Sequence, residues 1–251
     1  MSTNVADYRS PSTGRVIRAI LFDTFGTVVD WRSGITRAVA DFARGNEIAI
    51  DAEEFADAWR AQYQPAMQHI RTGARQYVTL DILHRENLEL VLRDQGLDVD
   101  AFARADLDRL ALSWRWLPPW PDSVDGIGAM KRRYVVGPLS NANTALLVDM
   151  AKFGGLPWDV VLGSDVSRAY KPDPAAYRAP ADFLGVDVGE VMLVAAHNAD
   201  LRAAQQAGLA TAFVARSDEH GPGRGETVPD GRWDAAGASL TELARQFGVR
   251  S

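Results

Sequence analysis

Hydrophobic and polar positions follow two different spacings along the chain. The apolar run 16–22, interrupted only by Arg18, is typical of a buried strand and ends at Asp23. Between residues 31 and 118 the apolar positions recur at helical spacing, with no strand pattern among them. Beyond that point, short apolar runs alternate with helical stretches. The chain therefore divides into a strand, a helical segment and an alternating segment.

The same spacings predict the individual elements. In the helical segment we expect a first helix capped by Ser33 and further helices over 51–67, 78–95 and 100–116. In the alternating segment we expect strands over 134–139, 160–162, 191–196 and 211–215. Helices are expected over 122–132, 142–153, 174–184 and 200–207, with a last one capped by Ser239. The stretch 217–233 is rich in glycine and proline, which predicts a surface loop.

Alternation of strands and helices implies a parallel sheet that is covered on both faces. The sequence thus predicts an α/β fold, namely a doubly wound (Rossmann-like) parallel-sheet core with an inserted helical cap domain. We expect a flexible tail over 1–13, a core formed by 14–30 and 119–251, and a cap over 31–118. The cap follows the loop after Asp23 and would suit a lid. Pro138 conflicts with its predicted strand, since it cannot donate to the ladder.

Composition narrows the class of protein. With 251 residues, 47% hydrophobic content and 24% charge, the chain is typical of a soluble globular protein. The formal charge of −6 argues against nucleic acid as a main partner, and the absence of cysteine excludes thiolate chemistry. No apolar run is long enough to span a bilayer and no signal-peptide pattern is present, so we expect a cytoplasmic protein without a membrane partner.

Polar residues follow several of the predicted strands. They are Asp23 and Thr27, then Ser140 and Asn141, then Lys171 on a loop before a helix, and finally His197, Asn198 and Asp200. Singly, each is also an ordinary turn, cap or solvated residue. Together they would converge at one edge, because ligands of open parallel sheets gather outside the carboxyl ends of the strands.

Four segments resemble the motifs of the haloacid dehalogenase superfamily: Asp23-Thr24-Phe25-Gly26-Thr27, Leu139-Ser140-Asn141, Lys171-Pro172-Asp173 and Asp200. The chain is similar above all to the L-2-haloacid dehalogenases of type II, through Trp59-Arg60 in the cap and the spacing from Lys171 to Tyr177. This resemblance implies hydrolysis of short-chain (S)-2-haloacids to 2-hydroxy acids and free halide. Relatives are often dimers, which by analogy alone raises a homodimer, while the sequence itself does not reveal the oligomeric state.

Residue types favour the dehalogenases over the phosphatases of this superfamily. Phosphatases carry a second Asp two positions after the nucleophile, where this chain has Phe25. A halide needs no proton to depart, so a dehalogenase loses nothing there. The phosphatases also hold Mg²⁺ partly through an acid that would align with Ala195 or Ala196, and neither residue can bind a metal. We therefore expect no metal and no cofactor.

The resemblance implies roles for particular residues. Asp23 would attack the halogen-bearing carbon to form an ester, which water then hydrolyses. Thr27 would orient Asp23, Lys171 would keep its pKa low, and Tyr177 would support Lys171. Donors for the substrate carboxylate would be Ser140, Lys171 and the backbone N–H groups around Thr24 and Phe25.

The halide would be held by Arg60 and Asn141. For Arg60, the alternative is a solvated helix residue paired with a neighbouring acid. Trp59, Tyr77 and Trp31 would supply the bulk of a tight pocket. Such a pocket would be needed for a C–F bond.

His197 departs from the better-known dehalogenases, which carry Asn at that position. One hypothesis is that His197, with Asp200, positions or deprotonates the hydrolytic water, since His titrates near neutrality. The alternative is that it only fills the hydrogen-bonding place of the Asn. The Ala-Ala-His-Asn-x-Asp form also resembles a branch with enzymes that release fluoride, which raises fluoroacetate as a substrate.

Two other functions stay open from the sequence. The first is a Mg²⁺-dependent phosphatase of the same fold, which EDTA would inactivate. The second is a catalytically idle binding protein that keeps the fold. The joint presence of Asp23, Lys171 and Asp200 disfavours this second reading.

Overall fold

A computed structural model describes residues 7–249 of the chain. Its core is a five-stranded parallel sheet in the order β2-β1-β3-β4-β5, flanked by helices. The strands are β1 (Ala19–Phe22), β2 (Val135–Pro138), β3 (Val191–Ala195), β4 (Ala210–Val214) and β5 (Ala235–Gly237). This architecture confirms the predicted α/β class with a Rossmann-like parallel sheet.

Among the described residues, six α-helices lie between β1 and β2: α1 (Trp31–Gly45), α2 (Ala52–Ala61), α3 (Tyr63–Arg71), α4 (Leu80–Asp94), α5 (Arg104–Ala111) and α6 (Ser123–Lys131). Five more follow β2: α7 (Thr144–Gly154), α8 (Ser164–Ser167), α9 (Pro174–Leu184), α10 (Asn198–Ala207) and α11 (Leu240–Gln246). Across residues 7–249, no helix is long and apolar enough to cross a membrane.

Strand β1 lies inside the sheet, and all four of its residues are buried. Its last residue, Phe22, is in register with Pro138 of β2 and Val194 of β3. The backbone N–H of Asp23 then donates to the carbonyl of Val194 at 3.0 Å. The first residue after β1 is thereby fixed between the carboxyl ends of both neighbouring strands.

Pro138 fits its strand because β2 is at the edge of the sheet. The N–H of Val135 donates to Arg18 O, just before β1, and that of Leu139 donates to Phe22 O at the end of β1. The N–H of Val136 points away from β1 and donates to the carboxylate of Asp159. Alternation along the strand therefore turns the nitrogen of Pro138 outward as well. No ladder hydrogen bond is lost, and the conflict noted in the sequence disappears.

Several predicted elements differ in the structure. The stretch 160–162 is not a strand of the sheet, since only Leu162 forms an isolated bridge, to Leu139. The helix expected over 51–67 is two helices, α2 and α3, because Pro65 lacks the N–H that would bond the last carbonyl of α2. Helix α1 is capped by Asp30, which accepts from Ser33 N, rather than by Ser33. Helix α8 and strand β5 were not predicted.

The N-terminal residues differ from the flexible tail expected over 1–13. Residues 1–6 lie outside the described residues. From residue 7 onward the chain is held in place, because Ser10 Oγ and Ser12 N donate to the Asp234 carboxylate at 2.7 and 2.8 Å. The ring of Tyr8 also packs edge-on against Phe247, with centroids 4.9 Å apart. Contacts with Asp234, just before β5, and with the buried Phe247 therefore hold this segment against the core.

The two segments that join the helical insertion to the core run side by side. Asp30 N donates to Pro118 O at 2.9 Å, and Trp120 N donates to Val28 O at 2.9 Å. The Ser123 hydroxyl adds a third bond to Val28 O at 2.7 Å. We call these segments, residues 24–30 and 118–123, the paired linkers.

Candidate active site

Asp23 is the centre of the site, at the carboxyl end of β1. Its Oδ2 accepts from the Thr27 hydroxyl at 2.8 Å, and Thr27 Oγ1 in turn accepts from Ala196 N at 2.9 Å. Its Oδ1 lies 3.2 Å from Lys171 Nζ, and its Oδ2 lies 3.1 Å from His197 Nδ1. Thr27, Lys171 and His197, which lie apart in sequence, are thus brought to one carboxylate.

Lys171 bridges two acids. Its Nζ donates to Asp200 Oδ2 at 2.6 Å as well as to Asp23, and the second Asp200 oxygen accepts from the Tyr177 hydroxyl at 2.7 Å. The Lys171 N–H donates to Asn141 Oδ1 at 2.7 Å, which fixes the loop that carries the ammonium. Tyr177 therefore supports Lys171 through Asp200, rather than by a direct hydrogen bond to the lysine.

The electrostatics of the site keep Asp23 ionised. Burial by itself would raise the pKa of Asp23, but the ammonium of Lys171 and the hydrogen bond from His197 hold it well below its usual range. Burial would likewise lower the pKa of Lys171, yet the carboxylates of Asp200 and Asp23 raise it. Asp23 is consequently an anion, and a candidate nucleophile, across the physiological range.

His197 contacts a second carboxylate that the sequence reasoning missed. Its Nε2 lies 2.8 Å from Oε2 of Glu219, whose side chain is only 1% exposed. Burial would lower the pKa of His197, but the hydrogen bonds to Asp23 and Glu219 raise it well above 6.5. We had expected Asp200 to act together with His197. Instead, the acid that contacts His197 besides Asp23 is Glu219, because Asp200 is held by Lys171 and Tyr177.

Glu219 lies in the stretch 217–233, for which we predicted only a surface loop. Its Oε1 accepts from Trp31 Nε1 at 3.2 Å, so the loop is tied to the first residue of α1. The sequence did contain one signal. This loop follows β4, and so leaves the sheet at the same carboxyl edge as the other site residues. Glu226, from the same loop, accepts from Asn198 N at 2.9 Å and also reaches the site.

Arg60 closes the site from the side of the cap. Its guanidinium lies 4.1 Å from the ring centroid of Tyr63, with Trp31 at 5.4 Å and Phe25 at 5.8 Å. Within the described part of the chain, Arg60 Nη1 is buried without a hydrogen-bond partner, and no ion pair joins the guanidinium to a carboxylate, although its charge acts on Glu219. The alternative of a solvated residue paired with a neighbouring acid is therefore wrong.

A cavity of about 530 Å³ collects most of the predicted residues. Its walls include Asp23, Phe25, Arg60, Asn141, Lys171, Tyr177, His197 and Asp200, together with Tyr63, Glu219 and His220. A cavity lined by the ionised carboxylate of Asp23 and by the guanidinium of Arg60 suits a small anionic substrate.

Several predicted binding residues lie outside this cavity, among them Tyr77, whose hydroxyl is 2.9 Å from Ser164 Oγ. Ser140 is buried, and its Oγ accepts from Ala142 N at 3.2 Å, beside a different small pocket. Thr24 is buried and its side chain does not reach the cavity. Trp59 donates to His84 O at 3.1 Å and packs on Trp114 in the interior of the cap. Strand and helix geometry turn these side chains away, which spacing along the chain did not reveal.

The donors around Asp23 do not match a metal site. Both of its oxygens already face cationic or hydroxyl donors, and a divalent ion there would lie beside Lys171 and His197. Among residues 7–249, no group of three or more His, Asp or Glu side chains is arranged to hold a metal ion. Ala195 and Ala196 add no ligand atom beyond their backbone.

Comparisons with known proteins agree with this geometry. The family model of haloacid dehalogenase-like hydrolases matches residues 17–208. The (S)-2-haloacid dehalogenase 4A of Burkholderia cepacia is 32% identical over 203 residues, which are 80% of this chain and 84% of that protein. The (S)-2-haloacid dehalogenase 1 of Pseudomonas sp. strain CBS-3 is 31% identical over 204 residues, covering 80% of this chain and 85% of the relative.

Solved structures extend the similarity to nearly the whole chain. The crystal structure of the defluorinating L-2-haloacid dehalogenase Rha0230 shares 57% identity at a TM-score of 0.96, and the match covers 97% of this chain and 100% of that one. The L-2-haloacid dehalogenase PA0810 shares 43% identity at a TM-score of 0.87, with 92% and 99% covered. The likeness includes both the sheet and the helical insertion.

Proposed function

This chain belongs to the haloacid dehalogenase-like hydrolases and, within them, to the L-2-haloacid dehalogenases, and on that premise we propose that it hydrolyses short-chain (S)-2-haloacids to 2-hydroxy acids through an ester of Asp23. The substrates that we propose are haloacetates and 2-halopropionates. One observation carries the proposal: an ionised Asp23 shares a cavity with the unpaired Arg60 and with Phe25 in place of an acid.

In the first step, Asp23 displaces the halide from C2 with inversion. Its Oδ2 is held by the Thr27 hydroxyl and His197, whereas Oδ1 accepts only the longer contact from Lys171. The less engaged Oδ1 is the better nucleophile, since its lone pairs are less stabilised. The new bond joins Oδ1 to C2, and the electron pair of the carbon–halogen bond leaves with the halide.

Arg60 is the group proposed to receive the departing halide. Its buried, unpartnered Nη1 supplies a charged donor, and the rings of Tyr63, Trp31 and Phe25 exclude water around it. Asn141 has its Oδ1 engaged by Lys171 N, which leaves the amide N–H₂ as the end that donates. The substrate carboxylate is then left to Lys171 and to backbone N–H groups near Phe25.

Metal independence follows from the same chemistry. A phosphoryl group needs its charge neutralised and its leaving alkoxide protonated, whereas a halide needs neither. Phe25 is apolar where a phosphatase has its general acid, and two cationic groups already neutralise Asp23. The cationic contacts thus take the place that a divalent ion would require, which argues against the Mg²⁺-dependent phosphatase.

We extend the proposal to fluoroacetate. Fluoride is a small and poor leaving group, so its departure depends on close, dry donors. The guanidinium of Arg60, enclosed by aromatic rings, supports such stabilisation, as does the 57% identity with a defluorinating relative.

Halide release is the direct test. The purified protein is incubated with chloroacetate, bromoacetate, fluoroacetate and each enantiomer of 2-chloropropionate, with and without EDTA. We expect halide from the (S) enantiomer, (R)-lactate as product, and no effect of EDTA. A single turnover in H₂¹⁸O with excess enzyme should place the label in Asp23 and not in the product, because the product oxygen comes from the carboxylate.

Two outcomes would contradict the proposal. Label appearing in the product during that first turnover would mean that water attacks the substrate directly. Activity on p-nitrophenyl phosphate that EDTA abolishes, without halide release from any haloacid, would instead favour the phosphatase.

A further inference from the structure

We propose that Glu219 keeps His197 protonated while Asp23 carries the ester, so that His197 donates to the ester carbonyl and does not act as the base for water. This inference rests on the ester mechanism proposed above and assigns a positioning role to a residue outside the motifs. It also chooses between the two roles that the sequence left open for His197.

The first argument is the identity of the two atoms that face the ring. Nδ1 lies 3.1 Å from Asp23 Oδ2, and Nε2 lies 2.8 Å from Glu219 Oε2. Ionised carboxylate oxygens only accept hydrogen bonds. A neutral imidazole has one N–H and could satisfy only one of them, so the ring that satisfies both is an imidazolium.

The second argument is what changes when the ester forms. Asp23 becomes neutral, and Oδ2 becomes a carbonyl oxygen that attracts the ring proton far less. Glu219 is then the carboxylate left in contact with His197 among the described residues. It cannot swing to solvent, because it is 1% exposed and its second oxygen accepts from Trp31 at 3.2 Å.

The surrounding charges do not replace Glu219. Lys171 Nζ lies 2.6 Å from Asp200 Oδ2, so the charges of these two residues largely cancel. The other groups nearby act on Glu219 itself: Arg60 is cationic, and His220 Nε2 lies 3.7 Å from Glu219 Oε1. Burial would raise the pKa of Glu219, but His197 lowers it, so Glu219 remains an anion. Glu226 binds Asn198 and does not contact the ring.

In the second step, water attacks Cγ of the ester and the carbonyl electron pair moves onto Oδ2. There the Thr27 hydroxyl and His197 Nδ1–H stabilise the developing charge, as in an oxyanion hole. One proton of the attacking water leaves to solvent. When the pair returns, the bond between Cγ and Oδ1 breaks, and the second proton passes to the departing alkoxide. The 2-hydroxy acid leaves, and Asp23 is again a carboxylate that now contains the water oxygen.

Glu219→Gln tests this role, because the amide keeps the shape but loses the charge. The side-chain carbonyl of the glutamine would accept from His197 Nε2–H. The neutral ring would then point the lone pair of Nδ1 at the carbonyl oxygen of the Asp23 ester. We expect ester breakdown at pH 9, measured by rapid quench with bromoacetate, to slow about tenfold or more, while the first-turnover halide burst changes less than about threefold. The ester should accumulate. Glu219→Asp, which retains the charge, should recover part of the rate.

Imidazole ¹⁵N shifts provide a readout that is independent of turnover. We expect both nitrogens of His197, assigned with His197→Asn, to remain protonated from pH 6 to 9 in the unmodified enzyme. In Glu219→Gln the titration midpoint should fall. Glu226→Gln removes a carboxylate from the same loop without touching the ring, and should move the midpoint much less.

Two results would overturn the inference: a His197 midpoint that is the same in Glu219→Gln, or ester breakdown in the unmodified enzyme that rises sigmoidally between pH 6 and 8. The second is the signature of a neutral histidine base, and it needs no variant to fold. Failure of the dehalogenase function itself would look different, since no haloacid would then release halide, while the ¹⁵N titration would still report on the pair.

Discussion

A side chain on Gly26 would overlap the carboxylate of Glu219: a Cβ built there meets Oε1 as its nearest atom. Gly26 also has φ +83°, in the left-handed region. The glycine of the first motif therefore does two things. It permits the turn after Asp23, and it leaves the space through which Glu219 reaches His197.

Gly26→Ala should lower the free energy of unfolding by more than the cost of the left-handed backbone alone. We expect the left-handed backbone to cost ~1–2 kcal/mol of unfolding free energy, with a further loss from displacing a buried, hydrogen-bonded carboxylate. Gly73→Ala is the matched control, because its φ is +75° and nothing lies within 4 Å of an added Cβ. Urea unfolding of both variants separates the two effects, and equal losses would mean that Glu219 simply moves aside.

Lys171→Met should make activity sensitive to acid. Without the ammonium, the Asp23 and Asp200 carboxylates lose the cation between them and Asp23 keeps only His197 as a cationic partner, so the pKa of Asp23 rises from its depressed value. Since attack requires ionised Asp23, kcat/KM should fall as the pH drops through this higher pKa, in a range where the unmodified enzyme keeps its activity. Lys131→Met, which breaks the surface pair with Asp159 at 3.0 Å, should leave the profile unchanged.

His197→Asn should flatten the alkaline side of the stability profile. The pKa of His197 is raised on folding, so its contribution is complete below the unfolded value of ~6.5 and is lost as the pH rises through the folded value. The unmodified protein should therefore lose up to ~1.4 kcal/mol per pH unit above neutrality from this group. Denaturant unfolding between pH 6 and 9 measures the slope. Exposed His69→Asn is the control and should retain it.

Arg60→Lys should weaken halide binding while keeping the charge. The planar guanidinium 4.1 Å from the Tyr63 ring is replaced by a compact ammonium that stacks poorly. Losing ~1.4 kcal/mol of such contact corresponds to about tenfold in kcat/KM. Product inhibition by bromide should weaken in parallel. Arg37→Lys, on an exposed position of α1, should change neither quantity, and a similar loss there would point to a general effect on the cap.

The fold could be predicted best where capping and helix-breaking residues mark the ends of the elements. Helix α9 occupies Pro174–Leu184, as expected, because Asp173 caps its start and Gly185 is left-handed at its end. The split between α2 and α3 was also signalled by Pro65, but helical periodicity obscured it. The stretch 160–162 is apolar enough for a strand, yet only one isolated bridge forms there, and pairing of that kind is decided by tertiary structure.

The site was predictable where residues follow strands and less so elsewhere. Asp23 and Asp200 meet because β1 and β3 end at one edge of the sheet, a property of topology that spacing can report, and Lys171 reaches them from the loop before α9. Whether Ser140 or Trp59 faces the cavity depends on side-chain direction, which spacing does not report. Glu219 was missed because its loop has no motif, and its importance arises only from burial against Trp31 and His197.

The paired linkers constrain how the helical insertion can move. They are hydrogen-bonded to each other within a few residues of Asp23, and Arg216 clamps both, through Thr27 O at 2.9 Å and Asp122 at 2.8 Å. Sliding one linker past the other would break these bonds, so the motion that preserves them is rotation about the pair. Because this axis lies close to Asp23 and Arg60 is carried on α2 of the insertion, such a rotation would displace Arg60 more than Asp23. Swinging the insertion outward would uncover the halide while hardly disturbing the carboxylate.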